Sequence, residues 1–96
     1  MVIGDESKSD VWVEDSSIAM ANMHLMADHL GVGSCWIQGR LRRNGEMTTD
    51  AFVRDILHYL APYQLEAILS LGMPESKPKP HTLQELLMEN VYWEQF

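Results

Sequence analysis

The sequence predicts a layered α/β fold in which three strands alternate with three helices. Short β-prone apolar runs lie at the N-terminus, near residue 35 and near residue 68, and stretches with helical apolar periodicity separate them. The composition is that of a globular chain, because 46% of the residues are hydrophobic and only 22% are charged. A length of 96 residues suits a single domain over residues 1–96, or part of one.

Charge and cysteine content exclude several classes of protein. The 7 basic and 14 acidic side chains give a net charge of −7, which argues against a protein that mainly binds the phosphate backbone of nucleic acids. No apolar run approaches the roughly 20 residues of a membrane-spanning helix, and the N-terminus lacks a secretion signal. The single cysteine, Cys35, forms no internal disulfide. We therefore expect a reduced, cytoplasmic protein with no nucleic-acid and no membrane partner.

The N-terminal third is expected to hold one strand and one long helix. Residues 1–4 are β-prone and resemble the second half of a longer strand, since they begin abruptly. A helical pattern then runs over residues 11–30, with Ser9 or Asp10 as the N-cap and Gly31 as the stop.

This helix has two apolar sides in projection. A broad face is formed by Ala19, Met20, Met23, Met26, Ala27 and Leu30. A second strip is formed by Ile18, Ala21 and Leu25, and the polar stripe between the two by Ser17, His24 and Asp28. A helix that is apolar on two sides is buried on two sides. We therefore expect the helix from Val13 to Leu30 to form a homodimer interface or to meet a missing part of the same fold.

The rest of the chain is expected to alternate strands and helices. Residues 34–37 read as a strand, residues 38–47 as a polar loop, and residues 64–71 as a central strand. A helix is predicted from Thr48 or Thr49 to Leu60, closed by Pro62.

The C-terminal part carries a capping box, Thr82-x-x-Glu85, that predicts a short helix through Leu86 and Leu87. The chain then ends in an aromatic stretch over residues 91–96, which is expected to dock on another surface.

Several residues are open to a chemical and a structural interpretation. His24 and Asp28 stand at i, i+4 but lack a third metal ligand, so a solvated or interface stripe is the simpler interpretation. Met20, Met23 and Met26 fit irregular packing better than a haem or copper pocket. We therefore expect no metal site.

Two further features are also ambiguous. Cys35 has no recognisable base beside it and is expected to be packed. The basic loop Arg40, Arg42 and Arg43 is either solvated or binds a substrate or nucleotide phosphate.

Three stretches resemble the flavin-dependent nitroreductase family, in that family's order and at plausible spacing. They are WVEDSSIA at residues 12–19, LGVGSCWIQ at residues 30–38, and LSLGMP at residues 69–74 followed by KPKPH at residues 77–81. Each stretch alone is a weak signal, but together they run through nearly the whole chain.

The resemblance implies an α+β fold built as an intertwined homodimer, with FMN at the subunit interface. It implies that NAD(P)H gives a hydride to the flavin, which passes electrons to a nitroaromatic or quinone-like acceptor. The cofactor carries this chemistry, so no catalytic side chain is expected. By position, the residues along the isoalloxazine ring would be Trp36, Ile37, Gln38 and Gly39, with the Gln38 backbone N–H near flavin N5. Lys79 and His81 would contact the phosphate.

Two departures from the family pattern leave alternatives open. His81 stands where many members have Arg, which is always charged, whereas His is mostly neutral at pH 7. The resemblance also covers only the C-terminal half of the family, without the arginine-rich N-terminal motif for FMN. One expectation is a flavoenzyme that is active as a short variant or with a second chain. The other is a truncated, non-enzymatic remnant that dimerises and binds FMN weakly or not at all.

Overall fold

A computed structural model describes residues 1–76 and 78–94 and confirms the mixed helix and sheet class. The first half consists of β1 (Val2–Asp5), α1 (Trp12–His29), β2 (Gly33–Gln38), β3 (Arg43–Asn44) and β4 (Met47–Thr48). The second half consists of α2 (Thr49–Leu57), β5 (Tyr63–Gly72) and two 3₁₀ turns, Leu83–Glu85 and Met88–Asn90. None of the helices described is long and apolar enough to cross a membrane.

The strand β5 is the centre of a three-stranded sheet of order β1-β5-β2. Both neighbours run antiparallel to it, with Gly4 opposite Gln64 on one side and Trp36 opposite Leu69 on the other. The predicted central strand at residues 64–71 is therefore confirmed, and it is one residue longer at each end. Leu65 and Ala67 of this strand are fully or almost fully buried, as expected for the middle of a sheet.

The helix α1 packs against all three strands. It lies close to β1 at Gly4, where a Cβ atom would be 2.5 Å from the Trp12 ring and 3.1 Å from the Ser16 hydroxyl. The glycine therefore lets the helix lie directly on β1. The buried stripe of α1 consists of Ser16, Met20 and Ala27.

The predicted broad face of α1 is buried only in part. Met23, Met26 and Leu30 are 41%, 56% and 68% exposed, because the helix contacts the sheet along one narrow stripe. On the second strip, Ile18 and Leu25 are 62% and 70% exposed. Within one chain, α1 is therefore buried on one side and presents apolar side chains to solvent on the others.

The predicted cap of α1 is wrong. The N-cap is Val11, with no side-chain cap bond, and the Ser9 hydroxyl instead accepts a hydrogen bond from the Val11 N–H at 3.3 Å. The Ser9 hydroxyl also lies 3.5 Å from the Asp15 carboxylate, to which it donates.

The helix α2 begins as predicted but ends earlier. Thr48 is its N-cap and accepts a hydrogen bond from the Ala51 N–H at 3.1 Å. The predicted end at Leu60 is wrong, because His58 adopts a left-handed conformation with φ of 56° and ends the helix after Leu57.

A small hairpin replaces the irregular loop predicted over residues 38–47. Asn44 pairs with Met47, and the two-residue turn between them begins at Gly45 with φ of 61°. Glycine at the first of the two turn positions is typical of a type II′ turn, so Gly45 was the residue in the sequence that signalled a hairpin.

The C-terminal segment departs from the predicted helix. The capping box of Thr82 and Glu85 is present, but it opens only a 3₁₀ turn. Trp93 of the aromatic end is 83% exposed, so this side chain does not dock within the chain. Gln95 and Phe96 of that end lie outside the described residues.

The chain exposes more surface than a compact protein of its mass. Its accessible area is 8098 Å², whereas a compact protein of 11.0 kDa exposes roughly 5,600 Å². The radius of gyration of 17.0 Å also exceeds the ~12.5 Å expected for this length. The buried hydrophobic residues are Met20, Ala27, Val53, Leu65 and Ala67. So small a core, with so much apolar surface outside it, indicates that the fold is partial.

Asp50 ties α2 to the start of β5. Its Oδ1 accepts hydrogen bonds from the Leu65 N–H and the Tyr59 hydroxyl, both at 2.7 Å, and its Oδ2 pairs with Arg54 at 2.9 Å. Burial alone would raise the pKa of Asp50, but the bonds from Tyr59, Arg54 and Leu65 outweigh it, so the pKa lies below the usual 3.8. Burial, together with the bond to Asp50, raises the pKa of Tyr59 to about 12.

Replacing Asp50 should therefore cost stability. We expect Asp50→Ala to lower the free energy of unfolding by about 2–3 kcal/mol, because it leaves the buried Leu65 N–H without its acceptor and removes the charge that pairs with Arg54. Urea denaturation followed by circular dichroism measures this, with the exposed Asp55→Ala on the same helix as the control. Equal losses for the two variants would contradict the role of Asp50.

The lowered pKa of Asp50 also gives a pH signature. A depressed carboxyl pKa stabilises the folded state above the unfolded pKa, and this stabilisation disappears as pH falls through the folded pKa. We expect the stability difference between the wild type and Asp50→Asn to be constant near neutrality and to shrink below about pH 4. A difference that does not change with pH would show that the charge of Asp50 contributes nothing.

Candidate functional site

The predicted ring-contacting residues lie on the outer edge of the sheet. Trp36, Ile37 and Gln38 belong to β2, an edge strand, and Gly39 follows directly. The N–H groups of Gly39 and Arg40 both donate to the Glu66 carbonyl, at 3.2 and 2.8 Å, which is the pattern of a β-bulge. Because hydrogen-bonded and non-bonded positions alternate in an antiparallel ladder, the Gln38 N–H is directed away from β5, toward the open edge.

A chain of side-chain hydrogen bonds holds this edge in place. The Trp36 indole donates to Gln38 Oε1 at 2.9 Å, and Gln38 Nε2 donates to the Arg40 carbonyl at 3.2 Å. At Gly39 a Cβ would lie 2.6 Å from Leu65 Cδ2, so a larger residue would have to push the buried Leu65 side chain aside. The side chains of Trp36 and Gln38 are thus engaged with each other and with the bulge, which leaves the outward main-chain groups for a ligand.

Lys79 and His81 lie in the segment that follows β5. That strand ends at Gly72, opposite Gly33, whereas Gln38 lies at the other end of β2, about 17 Å along the strand. His81 Nδ1 is 2.9 Å from Glu85 Oε2, and the His81 side chain is 88% exposed. No hydrogen bond or ion pair between described residues joins this segment to the edge residues 36–39.

A basic cavity, which the sequence did not predict, begins where the edge strand β2 ends. It has a volume of about 450 Å³ and is lined by Trp12, Gly39, Gln64 and residues 40–43, here called the arginine loop, with Glu6, Thr48, Asp50 and Leu65 completing its wall. The Arg40 guanidinium lies over the Trp12 ring, 5.8 Å from its centroid, and its Nε is 3.9 Å from the buried Glu66 carboxylate. The sequence signal for it was the concentration of three of the chain's 7 basic residues within residues 40–43.

The other candidate residues do not form a chemical site. His24 hydrogen-bonds the Ser34 hydroxyl, and no group of three potential metal ligands occurs among the residues that the structure describes. Cys35 is exposed, which corrects the expectation that it is packed, and its thiol lies 3.7 Å from the Trp36 carbonyl.

Comparison with known proteins identifies the family and the fold. The chain matches the family model described as the nitroreductase family over residues 2–73. It is similar to the structure of an FMN-dependent nitroreductase from Clostridium difficile R20291, with 37% identity and a TM-score of 0.92. That match covers 98% of this chain and 55% of the other, so the chain spans about half the length of its relative.

Two further structures share the fold. They are putative NADH dehydrogenase/NAD(P)H nitroreductases from Bacteroides thetaiotaomicron and Parabacteroides distasonis, each with 22% identity and a TM-score of 0.81. The matches cover 98% of this chain and 52% and 53% of the others. No curated protein sequence matches the chain. The extent of the family match and the 37% identity over almost all of its length establish that this chain belongs to the nitroreductase family.

Proposed function

We propose that this protein is an FMN-dependent oxidoreductase that passes electrons from NAD(P)H to nitroaromatic or quinone-like acceptors in the cytoplasm. Family membership and the FMN-dependent relative support the reaction class. The observation that carries the proposal is the edge at Gln38, where a main-chain N–H is directed outward from a strand that the bulge at Gly39 holds in place.

The residues of this edge fit a flavin ring. An outward N–H at Gln38 would donate to N5 of the isoalloxazine, and Trp36, Ile37 and Gly39 would lie along the ring. When bound, FMN supplies the hydride and electron transfer, so the protein need only orient the ring and donate the hydrogen bond. The chain that runs from Trp36 through Gln38 to Arg40 keeps that donor fixed.

The FMN phosphate would be held by Lys79 and, more weakly, by His81. Lys79 is an exposed, permanent cation, whereas His81 is already paired with the Glu85 carboxylate. A phosphate would have to compete with Glu85 for the imidazole, so this region alone provides a weak anion site.

We further propose that the protein works as a homodimer through α1. Ile18 and Leu25, with Ala21 between them on the helix, form an exposed apolar strip on α1, and Met26 lies farther around the helix. The accessible area exceeds that of a compact chain by roughly 2,500 Å², which is on the scale of an obligate dimer interface. A second copy is the occupant that matches this apolar surface.

A second candidate function follows from the length of the chain. It spans about half of the relatives that it matches, and we propose residues 1–96 as a unit that corresponds to the C-terminal half of the family fold. If the half of the family fold that this chain does not span supplies most of the contacts to FMN, residues 1–96 by themselves would dimerise without enzyme activity.

Flavin binding separates the two functions. We expect the purified protein, reconstituted with FMN, to retain a bound-flavin absorption spectrum after gel filtration and to oxidise NAD(P)H in the presence of a nitroaromatic or a quinone. A dimer that emerges colourless from gel filtration and does not oxidise NAD(P)H would favour the remnant.

Replacing Lys79 tests the phosphate contact. We expect Lys79→Ala to weaken FMN binding about tenfold, because it removes a permanent charge from the phosphate. Quenching of flavin fluorescence measures the dissociation constant, with Lys8→Ala as the charge-matched control. Glu85→Gln should tighten binding, since it releases His81 from its carboxylate partner. Unchanged affinity in Lys79→Ala would mean that the phosphate is held elsewhere.

A carboxylate on the apolar strip tests the dimer. We expect Leu25→Asp to shift the protein to monomers at micromolar concentration, because burying an unpaired carboxylate in an interface is costly. Analytical ultracentrifugation gives the mass, and Asn44→Asp on the exposed hairpin introduces the same group elsewhere. A wild type that is monomeric and folded would refute the dimer outright.

A further inference from the structure

We propose that the cavity between Trp12 and the arginine loop binds a purine nucleotide that ends in a phosphate monoester. This inference rests on the proposed function, because the nucleotide would be the adenosine 2′-phosphate end of the electron donor. It adds a selectivity to that function: the donor site prefers NADPH to NADH.

The arginine loop is held rigidly at the cavity wall. The N–H groups of Gly39 and Arg40 are tied to the Glu66 carbonyl, the Arg42 N–H donates to the Gly39 carbonyl at 3.2 Å, and the Thr49 N–H donates to the Arg42 carbonyl at 2.9 Å. Within this loop Leu41 has a φ of 59° and is 84% exposed. A leucine in the left-handed region is strained without being needed for packing, and such residues concentrate at functional sites.

The charge balance favours an anion. Asp50 is neutralised by Arg54 at 2.9 Å, and Glu66 faces Arg40 at 3.9 Å. Glu6, the other acid on the wall, accepts a hydrogen bond from the neutral Gln64 amide and keeps its negative charge, which offsets one of the positive charges there. Among the described residues no ion pair engages the guanidinium of Arg42 or Arg43, although Arg43 also donates to the Glu46 carbonyl. Two guanidinium groups adjacent in sequence therefore have charge available for a dianion, which each is able to contact with two parallel hydrogen bonds.

The cavity also offers a surface for a flat ring. Trp12 is half-buried and lines the wall, and the Arg40 guanidinium lies over its ring, so that guanidinium is the flat surface that a base would meet. Aromatic and guanidinium planes are the surfaces on which purine bases stack. The volume of about 450 Å³ lies in the range of small-molecule sites. A flat surface for a base, beside two arginines available for a phosphate, is the combination that a nucleotide with a phosphate monoester requires.

The position of the cavity suits an electron donor. Gly39 both ends the edge at which we propose the flavin and lines the cavity. With the flavin along this edge, the cavity would adjoin the flavin site, so Arg42 and Arg43 would be available to the other end of a dinucleotide donor. NADH carries only phosphate diesters, whereas NADPH adds a dianionic monoester on the adenosine ribose.

Calorimetry on the flavin-free protein tests the site without turnover. The probes are 2′-AMP, adenosine, inorganic phosphate, NADPH and NADH. We expect 2′-AMP to bind at least tenfold more tightly than adenosine or inorganic phosphate, and NADPH at least tenfold more tightly than NADH. Arg42→Ser should weaken the binding of 2′-AMP and NADPH at least tenfold and leave the binding of NADH unchanged. Arg42→Lys should have an intermediate effect, because lysine keeps the positive charge but lacks the paired N–H donors of the guanidinium.

Lys8→Ser is the control, since it removes one positive charge from a lysine that is paired with Asp5. Equal affinities for NADPH and NADH, an equal loss of both in Arg42→Ser, or inorganic phosphate binding as tightly as 2′-AMP would each overturn the inference. A flavin-binding enzyme that does not discriminate between the two donors would retain the proposed function and refute the donor site. A chain that binds 2′-AMP through Arg42 but retains no FMN would support the nucleotide site and refute the proposed function.

Discussion

The structure depends on the central strand β5. It pairs on both edges, with β1 and β2, and it contacts α1, while its Leu65 N–H anchors α2 through the Asp50 carboxylate. The Glu66 carbonyl on the same strand accepts the two N–H groups that form the bulge after β2. One strand therefore fixes the register of the sheet, the position of α2 and the shape of the candidate flavin edge.

This arrangement leaves the chain short of buried apolar surface. Side chains such as Met20 and Leu65 each contribute about 1.5–3 kcal/mol when buried, but few residues in this chain are buried to that extent. The free energy gained by burial exceeds the conformational entropy lost on folding by only a small margin. A core of this size therefore needs further apolar surface to be buried against other residues. The lengths of the related structures agree with this, because this chain covers only 55% and 52% of them.

The candidate site uses main-chain groups more than side chains. At the β2 edge, Gln38 contributes an N–H and Gly39 the absence of a side chain, while Trp36 serves to hold Gln38. Flavin chemistry suits such a site, because the cofactor performs the reaction and the protein supplies orientation. The arginine loop differs in kind, since charged side chains define it.

By itself the sequence determined the main elements and the family, but not the hairpin of β3 and β4, the end of α2 or the 3₁₀ form of the C-terminal turn. The long helix, the central strand, the Thr48 cap and the capping box at Thr82 all follow from local periodicity and hydrogen-bonding chemistry, which neighbouring residues set. Only the tertiary structure decided what those elements contact. Met20 is buried and Leu25 exposed because α1 meets the sheet along one stripe, and helical periodicity marks both as apolar without distinguishing them. The tertiary structure also decided the contact of Arg40 with Trp12, two residues that are 28 positions apart. They meet because β5 holds β1 and β2 at its two edges, and Trp12 follows β1 whereas Arg40 follows β2.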